Sequence, residues 1–164
     1  MKAHPFTLLA VACTSAACSS FVLTEPASPP LTTVSDAPPG YALACVLRGS
    51  IVGALLTIVV RDNGTVVGAT EGPGHFCWFA GEGRHEVTVD GPSDADPIAF
   101  DARAGERIHL ELSVRIGQDE IVRASAERAA ELEAETRYSV IDEGPEDEAL
   151  PAGIPSVRGK PASR

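Results

Sequence analysis

From Tyr41 to Ala124 apolar and polar residues alternate with period two, broken by turn signals at short intervals. In YALACVLR (41–48), Tyr41, Leu43, Cys45 and Leu47 fall on one face. IVGALLTIVVR (51–61) is a nearly continuous apolar run that stops at Asp62-Asn63-Gly64. Asn followed by Gly tolerates the positive φ angles that a two-residue hairpin turn needs, so TVVGAT reads as the return strand. HFCWFA, the turn Gly81-Glu82-Gly83 and RHEVTVD read as a second hairpin, with Val87 and Val89 pointing one way and Glu86, Thr88 and Asp90 the other. PIAFDA follows. In RIHLELSVR, Ile108, Leu110, Leu112 and Val114 then alternate with His109, Glu111, Ser113 and Arg115. About seven short strands without an intervening helix predict an all-β fold, an antiparallel β-sandwich.

The period changes after residue 123. SAERAAELEAE (125–135) has helix-forming composition and a serine suited to the N-cap, so a short C-terminal helix is expected. Its apolar content is Leu132 and alanines, which predicts a weakly docked flap or edge cover. Residues 19–40 hold five prolines and no period, as in an extended tether. Residues 142–164 are acidic, then rich in proline and glycine, and predict a disordered tail. The expected organisation is therefore a leader over 1–18, a tether over 19–40, a sandwich over 41–123, a short helix and strand over 124–141, and the tail.

The leader, MKAHPFTLLAVACTSAAC, has Lys2, an apolar run from Phe6 to Ala12 and small residues before Cys13 and before Cys18. This is the layout of an export signal, and it is too short for a permanent membrane span. Small residues followed directly by cysteine resemble the processing site of bacterial lipoproteins, in which the thiol is acylated. Cutting before Cys18 leaves a leader of ordinary length, so Cys18 is the expected lipidation site and the membrane an expected partner. The alternative is plain secretion with two incidental cysteines.

Export places Cys45 and Cys77 in an oxidising compartment. A bridge between them would stabilise a small domain, and two buried free thiols are the other reading. The net charge of −10 repels phosphate backbones, so nucleic acid is not an expected partner.

Three sets of residues could carry chemistry. His75, Cys77 and His85 offer thiolate and imidazole to a soft metal, although they match no known ligand spacing; the other reading places the histidines beside a hairpin and Cys77 in the core. Asp90, Asp94, Asp96 and Asp101 could furnish an oxygen-rich calcium loop, but DGPSDADP lacks regular ligand spacing and reads as a solvated loop. His109 and Glu111 share a face, a pairing used in general-base catalysis, on what the alternation predicts to be the solvated side of the strand. Phe76 and Trp78 share a face with Ala80 and read as core anchors; an exposed Trp78 would instead suit carbohydrate or protein contact. The chain contains no GxSxG, HExxH, Walker-type or CxxC motif. No catalytic residue, cofactor or metal is expected.

The segments LRGSIVGALLTIVVRDNGTVVG, HFCWFAGEGRHEVTV and FDARAGERIHLEL resemble a family of small bacterial lipoproteins defined by a domain of unknown function. The likeness runs over about residues 45 to 123 and lies mostly in turns. Glu82 stands where that family has a turn proline, and Ile108-His109 replace an aromatic pair. The resemblance implies a transthyretin- or immunoglobulin-like sandwich in the envelope, with no established activity. The expectation is a lipid-anchored, non-enzymatic envelope protein that binds a protein or glycan or plays a structural role. The alternatives are a metal-dependent hydrolase of the envelope and a secreted binding module without a lipid.

Overall fold

The computed structural model describes residues 21–30, 34–91, 93, 95–145, 148–151 and 153–158. The leader with Cys13 and Cys18 lies outside the described residues, as do Asp94 and residues 159–164. The strands are β1 (Val22–Thr24), β2 (Tyr41–Arg48), β3 (Thr57–Asp62), β4 (Thr65–Glu71), β5 (Gly74–Gly81), β6 (Gly83–Asp90), β7 (Ile98–Ala102), β8 (Arg107–Arg115), β9 (Gln118–Arg123), β10 (Arg137–Tyr138) and β11 (Val140–Glu143). Helix α1 (Ala126–Glu135) joins β9 to β10.

Two sheets make the sandwich. One has the order β10-β5-β2-β8-β9 and the other β4-β3-β6-β7. Strand β2 is buried along Ala42–Arg48, because both of its faces are covered. Ala44 pairs with Trp78, and Val46 with Phe76. These side chains face the second sheet, as the contact of Phe76 with Gly68 of β4 shows, since any Cβ at Gly68 would strike the ring. Phe76, Trp78 and Ala80 are thus core residues, as their spacing suggests. The opposite face, with Leu43, Cys45 and Leu47, lies under α1.

The sandwich contains parallel pairs where an antiparallel one was expected: β2 runs parallel to β8, and β10 to β5. The reason is topological. After β5 the chain crosses into the second sheet and returns as β8 from the same end as β2. Gly81-Glu82-Gly83 is therefore a crossing between sheets rather than a hairpin turn, with Gly83 at φ +127°. The hairpin at Asn63-Gly64 forms as expected, with φ of 49° and 80°.

Three further expectations change. Helix α1 is a cover over β2 and β8 rather than a flap: Ala129 and Leu132 are buried, and Leu132 occupies space that Gly49 leaves open, where a Cβ would stand 2.6 Å from its Cδ2. Ser125 caps the helix by accepting from the Arg128 amide at 3.2 Å. The tether contributes β1, which pairs with β11 in a third, two-stranded sheet. The tail is also ordered in part: Val157 bridges Ile141, and the Ser156 hydroxyl donates to the Val67 carbonyl. Phe21, Leu23, Leu150 and Ile154 pack with Ile141 and Val157 onto Val59, Val66 and Ala69, closing the outer face of the second sheet. The apolar burial available there explains why segments with little internal period become ordered.

Candidate functional site

Cys45 and Cys77 stand directly opposite each other on β2 and β5 and form a disulfide, with Cα atoms 4.0 Å apart. Both are buried. The Tyr138 hydroxyl accepts from the Cys77 amide at 3.1 Å, and burial pushes the Tyr138 phenol up to about 12. Cys77 is therefore not available as a metal thiolate.

The histidines on this face are held by neighbours. The Thr136 hydroxyl donates to the Leu132 carbonyl at 2.6 Å, so it accepts from His75 Nδ1 at 2.8 Å, which places a proton on Nδ1. Burial lowers the pKa of His75, and burial followed by the Arg107 guanidinium lowers that of His109. His109 and Glu111 share a face as expected, but α1 lies against that face. Glu111 is engaged by Arg128 at 2.8 Å, and Arg107 by Glu133 at 2.5 Å. The expected solvated side is thus a half-covered helix interface.

His85 does not join His75 and Cys77, because it belongs to the other sheet. Its Nδ1 lies 2.7 Å from Asp62 Oδ2 and its Nε2 lies 2.7 Å from the Gly81 carbonyl. Each ring nitrogen thus has a partner within hydrogen-bond distance. Trp78 Nε1 donates to the same carboxylate at 2.9 Å, and His85 stacks on Phe100. Asp62, Trp78 and His85 thus make a buried, mutually satisfied set that ties the first sheet to the second.

Of the acidic loop, Asp90 pairs with Arg61 at 2.7 Å, and Arg61 also holds Glu148 at 2.9 Å. These two carboxylates raise the pKa of Arg61, which in turn lowers that of Glu148. Asp96 and Asp101 are exposed. Among the described residues no three His, Cys, Asp or Glu side chains are grouped to hold a metal ion.

The opposite end of the sandwich has a different character. Residues 51–56, expected as strand, form a loop with Ile51, Val52, Leu55 and Leu56 exposed. The fully buried Arg48 holds it: Nη2 donates to the carbonyls of Gly53 at 2.6 Å and Val52 at 3.1 Å, and Nη1 to that of Leu56 at 2.8 Å. Burial lowers the Arg48 pKa, opposed by the charges of Asp119 and Glu71. Arg48 Nε, the Thr70 hydroxyl and both oxygens of the buried Asp119 have no hydrogen-bond partner among the described residues. Beside the loop lies a cleft of about 440 Å³, within the size range of small-ligand sites. Leu23, Ala54 and Pro73 line it together with Glu25, Glu71, Glu135 and Arg137.

Compared with family models, with curated proteins and with solved structures, the chain matches none.

Sequence reasoning did not single out Arg48, Asp62 or the cleft. Arg48 had a signal, since alternation in 41–48 puts it on the buried face of Ala42, Ala44 and Val46. The cleft had none, because its walls come from β1, the loop before β3, the end of β4 with the turn after it, and the end of α1 with the residues that follow.

Proposed function

We propose that the chain is an exported β-sandwich protein, anchored in the cell envelope through an acylated Cys18, that binds a protein or glycan there rather than catalysing a reaction. The observation that carries this reading is the Cys45–Cys77 bridge in the core. Disulfides form and persist outside the reducing cytosol, and small exported domains use them to supplement a limited core. The leader over residues 1–18 and the resemblance to small bacterial lipoproteins support the same compartment. Binding is favoured over catalysis because the groups that could do chemistry are engaged elsewhere: Cys77 is bridged, His85 and Asp62 hold the sheets together, and Glu111 is tied to α1.

Feeding cells a clickable fatty acid tests the anchor. Label is expected in the wild type and in Cys13→Ser, and is lost in Cys18→Ser together with membrane attachment. Label retained in Cys18→Ser would overturn the assignment, and unlabelled wild type in the medium would replace it with plain secretion. Stoichiometric zinc or copper in the purified mature protein would favour the metal-dependent hydrolase instead.

A further inference from the structure

We propose that the loop over residues 51–56 and the acidic cleft beside it form one docking surface, whose partner is a polypeptide segment carrying lysine or arginine next to aliphatic side chains. The inference rests on the binding reading above and names the surface and the chemistry of the partner. Single exposed apolar residues need no explanation. Here Ile51 is 77% exposed, Leu55 90% and, in the neighbouring β8–β9 turn, Ile116 98%. The two segments are joined: Ser50 Oγ donates to the Val114 carbonyl at 3.2 Å, and Gly53, at φ +65°, leaves no room for a Cβ against Leu56 and Val114.

The loop is held outward by a buried charge. A short polar turn would connect β2 to β3 without Arg48, and burying a guanidinium that pairs with no carboxylate among the described residues costs stability. Its three carbonyl contacts fix the backbone so that the aliphatic side chains stay in solvent. Such preorganisation lowers the ordering cost of binding.

The cleft selects the occupant. Ala54 of the loop forms part of its wall, next to Leu23 and Pro73. Glu25, Glu71 and Glu135 face one base among the described lining residues, Arg137, which Glu25 already engages at 3.1 Å. Thr24, also in the lining, has a buried hydroxyl without a hydrogen-bond partner among the described residues. A lysine or arginine side chain fits this arrangement, with its methylene stem on the apolar wall and its charged head at Glu71 and Glu135. The same carboxylates, on a chain of net charge −10, repel anionic lipid, nucleic acid and a second copy of this surface.

The test is a fluorescence titration of the full-length, disulfide-bonded chain with a short labelled peptide of leucines and lysines. The control peptide carries glutamate in place of lysine, and phosphatidylglycerol vesicles are titrated in parallel. Saturable binding of the lysine peptide alone is expected, weakened about tenfold by Leu55→Ser through lost apolar burial. Glu71→Gln combined with Glu135→Gln should weaken it similarly and flatten its salt dependence. Leu55→Ser should melt with the wild type, because its side chain is exposed, and the glutamate variant is titrated below its own melting temperature, because Glu71 also supports the buried charge of Arg48. Absent or non-saturable binding, equal binding of the glutamate peptide, or binding unchanged in both variants would overturn the proposal. So would vesicle binding, or concentration-dependent self-association, that Leu55→Ser abolishes. Acylation of Cys18 is read independently, so the anchor and the docking surface fail separately.

Discussion

The two ends of the sandwich solve the problem of buried polar groups in opposite ways. At the Asn63-Gly64 end, Asp62 accepts from Trp78 and His85, and His85 spends its second nitrogen on the Gly81 carbonyl, so every member of the set has a partner. At the loop end, Arg48 grips carbonyls while Arg48 Nε, the Thr70 hydroxyl and the Asp119 carboxylate have no partner among the described residues, and aliphatic side chains stand in solvent. A satisfied network rigidifies and contributes stability, whereas unpartnered polar atoms and exposed apolar ones cost it. The contrast places the stabilising network at the first end and agrees with the recognition proposed for the second.

Removing the bridge sets the scale for both ends. Cys45→Ala with Cys77→Ala releases a constraint across a separation of 32 residues, which lowers unfolding free energy by about 3 to 4 kcal/mol in the chain-entropy account. Denaturant melts read this directly, and membrane attachment should not change. Next comes Asp62→Ala, which leaves Trp78 Nε1 and His85 Nδ1 without their acceptor in the core and should cost about 3 kcal/mol. A loss below that of an ordinary surface substitution would erase the distinction between the ends.

Much of the stable end was legible in the sequence. The Asn63-Gly64 turn, the inward Phe76 and Trp78 and the alternation of β8 follow from local chemistry, and so do the Ser125 cap and the plausibility of a bridge. The parallel pairing of β2 with β8 was not legible, because a strand's pattern specifies a buried face and not a neighbour. The role of Gly81-Glu82-Gly83 depends on the same non-local choice: two glycines serve a sheet crossing as well as a hairpin turn. The helix was undervalued since Leu132 gains its burial from a gap at Gly49, more than 80 positions earlier. The recognition end was least legible: the apolar run 51–56 looks like strand until Arg48 is seen to hold it as a loop.

A smaller effect sharpens the comparison through pH. His75 and His109 have folded pKa values below the unfolded 6.5. Their neutral forms therefore stabilise the fold above that value, and this contribution is lost as pH falls from 6.5 through the lowered values, because the unfolded chain takes up protons first. Urea melts at pH 7.5 and pH 5 should show the loss, and His75→Gln combined with His109→Gln should flatten it. Growth of stability on acidification would contradict the sign. The smallest effect belongs to the recognition end: Leu55→Ser should move unfolding free energy by no more than about 0.5 kcal/mol.

The central claim is that the chain works as an exported, lipid-anchored, disulfide-bonded module. Intact mass spectrometry of the protein taken from the envelope without reductant tests it in one spectrum. The account predicts a chain beginning at an acylated Cys18, two hydrogens lighter than the reduced form because Cys45 and Cys77 are bridged. A full-length chain that retains its leader, with both thiols open to alkylation, would contradict it.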